Sequence, residues 1–170
     1  MFVFLLGNNS YAKDYLITDF GAIGDGKVLC TSSIQSAIDN ASKEGGGMVI
    51  IPKGAFLSGT IFMKSNVEIH FKRGARLLGS INPEDYKKVG KWKALVIAHK
   101  VSNISFSGKG TIDGRGDKLA FRIDSLFYAG QIDSLDYNFV EKRHKWYLRP
   151  VLLQILACRN IIVRGITLKN

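Results

Sequence analysis

A strand–turn–strand pattern that begins with asparagine recurs three times in this chain of 170 residues. The copies start at Asn66, Asn103 and Asn160, which are 37 and 57 residues apart. In each copy an apolar residue follows the asparagine directly and another follows two positions later, which is the period of a half-buried strand. A glycine and a second short apolar run come next, and an apolar stretch precedes each copy, at 59–63, 94–98 and 151–157.

This repeat predicts a solenoid, in which successive coils stack and each buries alternate residues on the coil below. A doubly wound α/β sheet needs a crossover helix after most strands, and only one helical pattern is present. A β-sandwich would use hairpin turns, for which Asp25-Gly26 and Asp113-Gly114 are available. The order of the repeat favours stacking, so we predict an all-β parallel β-helix; chance recurrence of a loose pattern is the alternative. The asparagines are predicted to stack at one turn, with their amides bonded to the neighbouring backbone.

Residues 31–44 carry the one helical pattern. Its apolar residues recur at i, i+3, i+4 and i+7 and form one face; they are Ile34, Ala37, Ile38 and Ala41. Ser32 is the predicted N-cap, with Gln35 three residues later as in a capping box. The glycines at 45–47 are predicted to end the helix, because glycine readily adopts a left-handed conformation.

The charge and cysteine content narrow the functional classes. Lysine and arginine number 24 against 14 aspartates and glutamates, a formal net charge of +10. This balance favours a polyanionic partner: nucleic acid, an anionic membrane surface or an acidic polysaccharide. No apolar run has the length of about 18–20 residues that spans a bilayer. Cys30 and Cys158 form no CxxC motif, so we predict two separate packed thiols and no zinc site.

The first twelve residues have the pattern of the second half of a secretory signal peptide. An apolar run at 2–6 is followed by Ser10 and Ala12, two small residues spaced as in a cleavage site. The mature chain is therefore predicted to begin near Lys13 and to be secreted or periplasmic; a frayed N-terminus or an edge strand is the alternative. Residues 13–170 are predicted to form one β-helix domain, with 114–148 as a long loop insertion.

Four further motifs surround the repeat. They are Asp-Phe-Gly-Ala-Ile-Gly-Asp-Gly at 19–26, Gly-Lys-Gly-Thr-Ile-Asp-Gly-Arg-Gly at 108–116, Arg-Pro at 149–150 and Cys-Arg-Asn-Ile at 158–161. Together they resemble the N-terminal part of glycoside hydrolase family 28, the polygalacturonases. The first motif is shared with other pectin-active β-helix proteins, whereas the second motif and the Arg-Pro pair indicate family 28. The resemblance runs from about residue 15 to the end of the chain, apart from 114–148.

The resemblance implies a right-handed parallel β-helix whose N-terminal end is covered by the helix at 31–44. It implies inverting hydrolysis of galacturonan or a related pectic chain, an acidic polysaccharide, by aspartates on successive coils and without a cofactor. The family's catalytic motifs are Asn-Thr-Asp, Asp-Asp, Gly-His-Gly and Arg-Ile-Lys, and none occurs in residues 1–170. The chain is therefore expected to be an inactive N-terminal portion without catalytic or metal-binding residues, which self-associates through an open end of the β-helix.

Several other side chains are candidates for a function but also have a purely structural interpretation. The aromatic and basic residues of 114–148 either contact sugars beside a substrate groove or form a surface excursion. The lysines around Trp92 form either a solvated loop or a binding patch; they are Lys87, Lys88, Lys91 and Lys93. Asp25 and Asp113 lie in glycine-rich turns and are predicted to accept bonds from backbone amides.

Two other functions are alternatives to the hypothesis that the chain is part of an enzyme. One is a non-catalytic carbohydrate-binding or structural β-helix. The other is nucleic-acid binding, which we disfavour because the basic residues form no compact motif. No metal site is predicted, because His70 and His99 lie in strand patterns with no second ligand nearby.

Overall fold

Three parallel sheets form the walls of the molecule in a computed structural model, which describes residues 13–133, 135, 137–138, 140, 143–145 and 148–170. The predicted signal segment at 1–12 lies outside the described residues. The first sheet consists, in spatial order, of β1 (Asp14–Leu16), β3 (Gly47–Ile51), β6 (Val67–Phe71), β10 (Ser102–Gly108) and β15 (Arg159–Val163). The second consists of β2 (Asp25–Leu29), β4 (Gly54–Ser58), β7 (Ala75–Gly79), β11 (Thr111–Asp113) and β16 (Thr167–Lys169). The third consists of β5 (Ile61–Phe62), β9 (Trp92–His99) and β14 (Val151–Leu156).

The chain visits the third, first and second sheets in turn, so β5–β6–β7, β9–β10–β11 and β14–β15–β16 are three stacked coils. This confirms the predicted parallel β-helix. Two short antiparallel pairs lie outside the stack: β8 (Lys88–Val89) with β9, and β12 (Tyr137–Asn138) with β13 (Arg143–His144). Among the described residues the α-helices are α1 (Thr31–Lys43) and α2 (Gly116–Tyr128), and 3₁₀ turns span Ile17–Phe20 and Pro83–Asp85.

Alternate residues of each strand point into the coils and stack in register. Ile69 pairs with Val49 on one side and with Phe106 on the other, and all three side chains are buried. In the second sheet Leu77 pairs with Ile112 in the same way. Because full burial of one such side chain contributes about 1.5–3 kcal/mol, these columns supply most of the driving force for stacking.

The three asparagines of the repeat form a ladder along one edge of the stack. Their φ angles of 63°, 55° and 54° are left-handed, a conformation that asparagine tolerates better than most residues. Nδ2 of Asn103 donates to Oδ1 of Asn66 at 2.9 Å, and Nδ2 of Asn160 donates to Oδ1 of Asn103 at 2.8 Å. The predicted bonds to neighbouring backbone are wrong, because direct stacking brings the next amide within reach.

Helix α1 covers the end of the stack near β1 and buries the predicted apolar face. The predicted capping box is wrong: the N-cap is Cys30, and no side chain caps the helix. The side chain of Gln35 instead accepts the N–H of Phe62 at 2.8 Å and donates to its carbonyl at 3.1 Å. The side-chain amide of Gln35 therefore bonds the backbone of β5, whereas the local sequence pattern predicted that it caps α1.

The second helix contradicts the prediction of a single helix. α2 lies in the block 114–148 and buries Leu119 and Ile123, four residues apart on one face. Phe121 and Tyr128 on the other side are 75% and 78% exposed. Two buried positions are too few to show a helical period in the sequence, so the pattern does not predict this helix. Neither α1 nor α2, the helices of the described residues, is long and apolar enough to cross a membrane.

Strands β14, β15 and β16 form the other end of the described stack, each at the edge of its sheet. Seven apolar side chains of this coil are exposed by more than a third, whereas Leu152, Leu153 and Ile166 pack against the core. The seven are Val151, Ile155, Leu156, Ile161, Ile162, Val163 and Leu168. The expected apolar cross-section is therefore present at this end.

Candidate functional site

The outer face of the second sheet carries a groove between the strands and the first turn of α2. Its main cavity has a volume of about 350 Å³. A second cavity of about 270 Å³ continues it and shares Asp117 and Asn170 with the first. We call the two cavities together the basic groove. Its charged lining residues are Arg76, Asp113, Arg115, Asp117, Lys118, Arg149 and Lys169.

The period of the strands puts these side chains outside. Arg76, Asp113 and Lys169 alternate with Leu77, Ile112 and Leu168, which pair with one another between neighbouring strands. Because successive residues of a strand point to opposite faces, the coil interior is apolar where the groove is charged. Residues from three consecutive coils thus meet on one surface, although Arg76 and Lys169 are far apart in sequence.

The groove has an excess of positive charge, with five arginines and lysines against two aspartates. One Oδ of Asp113 accepts the backbone N–H of Arg115 at 3.0 Å, and the other lies 3.9 Å from Nζ of Lys169. The lysine is 67% exposed, so this pair stabilises the fold little. A surface with such an excess of cations attracts polyanions.

Both turn aspartates accept backbone bonds, as predicted. Asp25 Oδ1 accepts from the N–H groups of Lys27 at 2.8 Å and Val28 at 3.0 Å, and these bonds lower the pKa of its carboxyl. Asp113 has a second role that its turn pattern does not indicate, because its side chain also lines the basic groove.

The remaining candidates lie outside the groove. His70 Nδ1 is 2.7 Å from Ser107 Oγ on the first sheet, and Ser107 also bonds Glu68. Among the described residues no group of three His, Cys, Asp or Glu side chains could hold a metal ion. Cys30 is buried, as predicted, whereas Cys158 is only partly buried, and the two thiols form no disulfide with each other.

The start of 114–148 contributes to the basic groove, because the first turn of α2 lines it through Asp117 and Lys118. In the lysine cluster, Lys93 Nζ donates to the carbonyl of Pro83 at 2.9 Å, while Trp92 is 41% exposed.

Sequence reasoning missed Arg76 and Lys169 as site residues. The available signal was a charged residue beside a buried leucine on the same strand, which marks an outward position. This signal does not indicate which of the outward sheet faces carries the groove.

Comparisons with known proteins show which proteins this chain is similar to. No family model matches the chain. It is 34% identical over 159 residues to an exopolygalacturonase of Zea mays, covering 91% of this chain and 34% of the relative. It is 34% identical over 142 residues to alginate lyase 7 of Azotobacter vinelandii, covering 76% of this chain and 16% of the relative.

The structural comparison agrees with these relatives. The family 28 exopolygalacturonase of Yersinia enterocolitica superposes with a TM-score of 0.75 at 26% identity, covering 94% of this chain and 35% of that one. The chain thus spans about a third or less of the length of these proteins. Over most of its length it has the polygalacturonase-like fold of the pectin lyase-like class, a right-handed parallel β-helix.

Proposed function

We propose that this chain supplies the N-terminal coils and part of the substrate-binding surface of a glycoside hydrolase that cleaves galacturonan with inversion. The observation that carries the proposal is the basic groove on the outer face of the second sheet. Galacturonan has a carboxylate on each unesterified sugar, so a row of cations matches its charge pattern. The similarity to the Zea mays and Yersinia proteins supports galacturonan as the polymer.

The role of this chain is binding and orientation, and the catalytic carboxylates belong to residues beyond 1–170. Inversion needs a general acid and a general base about 6.5–9.5 Å apart, with a water between them. Asp113 does not fit either task, because it accepts the Arg115 N–H and lies beside Lys169. A reducing-sugar assay on polygalacturonate is expected to give no turnover with residues 1–170.

The binding role is tested by reversing one charge of the groove. Arg76→Glu is expected to weaken binding of a galacturonate oligomer to residues 1–170 about tenfold at low salt, because an attraction becomes a repulsion. Isothermal titration calorimetry at two salt concentrations measures the affinity. Arg73→Glu changes the net charge equally, but Arg73 is exposed outside the groove, so its affinity should stay near that of the wild type.

Other ligands decide between the alternatives. A mannuronate oligomer tests the polymer suggested by the alginate lyase relative, and a DNA oligonucleotide tests binding by net charge alone. Binding that is equal for Arg76→Glu and Arg73→Glu, or that is stronger for DNA than for the galacturonate oligomer, would contradict the proposal. Binding of galacturonate without turnover by any longer form of the protein would favour a non-catalytic carbohydrate-binding module.

A secreted or periplasmic location follows from the same proposal. Galacturonan is a polymer outside the cell that degrades it, and the signal-like pattern at 1–12 has the order of a secretory leader.

Self-association through the exposed coil is part of the proposal. Edge strands present unpaired N–H and C=O groups, and two copies that pair through them also cover their apolar side chains. Val163→Lys is expected to lower the sedimentation-average mass at tens of micromolar, because it puts a charge on this surface. Val28→Lys is the control, since Val28 is equally exposed (45% against 46%) on β2 at the other end of the stack. A monodisperse wild-type monomer would exclude this contact.

A further inference from the structure

Arg115 is partly buried and is held in the basic groove by hydrogen bonds from its main chain and its side chain. It is the residue before α2, with left-handed backbone angles of φ 49° and ψ 42°. Its backbone N–H donates to Asp113 Oδ1 at 3.0 Å, and its side-chain Nε donates to the carbonyl of Gly79 at 2.7 Å. The main chain and the base of the guanidinium are therefore both tethered to the sheet.

Gly79, the acceptor of this bond, lies where an added side chain would collide with its neighbours. A Cβ at this position would lie 2.7 Å from Tyr86 Oη and 2.9 Å from the carbonyl oxygen of Gly114. Tyr86 is buried and donates its hydroxyl to the carbonyl of Ser80 at 2.7 Å. Burial raises the pKa of Tyr86, and the positive charge of Arg115 opposes that shift in part.

The hydrogen bond from Nε to Gly79 fixes the orientation of the Arg115 guanidinium. Arginine has five N–H donors in a planar fork, and four of them are on the two Nη atoms, which the bond to Gly79 does not use. Arg115 lines the main cavity of about 350 Å³ together with Arg76, Lys118 and Lys169. A fork held in one plane loses little side-chain entropy when it meets a planar carboxylate.

We propose that Arg115 determines specificity for a free uronate carboxylate over its methyl ester. The proposal rests on the proposed function, because it assigns one sugar-recognition step to the same groove. A carboxylate accepts two parallel charge-assisted bonds from the Nη pair. A methyl ester has no charge and one alkylated oxygen, so it forms at most a weaker single bond in this geometry. The other basic groups of the groove attract the polymer without such a geometric requirement.

The test compares two arginine-to-lysine changes. Arg115→Lys keeps the charge and removes the fork, and it should weaken binding of a galacturonate oligomer about tenfold. It should also lower the ratio of the affinity for the free oligomer to the affinity for the methyl-esterified oligomer. A lysine keeps the attraction of the positive charge for the carboxylate but cannot form the two parallel bonds. Arg73→Lys is the control, since Arg73 is exposed outside the basic groove, and its affinity and affinity ratio should stay within about twofold of the wild type.

A second measurement keeps the proposal testable if Arg115→Lys does not fold. In the wild type, the side-chain NMR resonances of Arg115 should shift on adding the free oligomer and stay unchanged with the methyl-esterified one. If the wild type binds no galacturonate oligomer, the proposed function fails and this assignment falls with it. If the wild type binds but Arg115→Lys keeps the wild-type ratio, or the Arg115 resonances respond equally to both oligomers, only the role of Arg115 is overturned.

Discussion

Gly108→Ala is expected to destabilise the protein by about 3 kcal/mol or more, because it combines backbone strain with a steric overlap. Gly108 ends β10 at φ 106°, where an L-residue is strained. An added Cβ would overlap the carbonyl oxygen of Phe71 and lie 2.8 Å from its carbonyl carbon. Since Phe71 is the register partner of Gly108, relief requires the two coils to separate. Urea unfolding followed by circular dichroism measures the loss.

Gly90→Ala separates backbone strain from this overlap. Gly90 has φ 67°, and nothing lies within 4 Å of a Cβ built on it. Its alanine variant should therefore lose only about 1–2 kcal/mol, the cost of the left-handed conformation. Equal losses for the two variants would show that β10 does not approach β6 closely enough to exclude a methyl group.

Phe106→Ala is expected to cost about 3–5 kcal/mol of unfolding free energy. Phe106 is 1% exposed and lies between Ile69 and Val163 in the inner column of the first sheet. Its removal leaves a cavity that stacked coils cannot close without changing their spacing. Phe121→Ala on α2 is the matched control, because a side chain that is 75% exposed should change stability by less than about 0.5 kcal/mol when it is truncated. A small loss for Phe106→Ala would mean that the column is not the core.

Local periodicity explains why the coils could be predicted. The alternation of Val67, Ile69 and Phe71 is a property of any extended strand, and the structure buries all three. The asparagines recur because each coil makes the same left-handed turn. The apolar face of α1 follows in the same way from the period of 3.6 residues. These signals lie within a few residues of one another, so they can be read without knowing any distant contact.

Distant contacts explain what could not be predicted. Gln35 bonds Phe62 instead of a helix cap, and the asparagine amides bond one another across coils of 37 and 57 residues. α2 buries Leu119 and Ile123 in the hydrophobic core, so its packing depends on residues outside the helix that the local pattern does not reveal.

The residue pattern alone established that this chain builds stacked parallel coils with an apolar interior, since backbone geometry dictates which alternate side chains share a face. Only the folded stack decided that Arg76, Arg115 and Lys169 share one groove, and that Gly79, 36 residues before Arg115, accepts its Nε–H. The physical reason is that stacking register and the path of the chain between coils bring these groups together. Both depend on interactions between residues that the sequence keeps far apart.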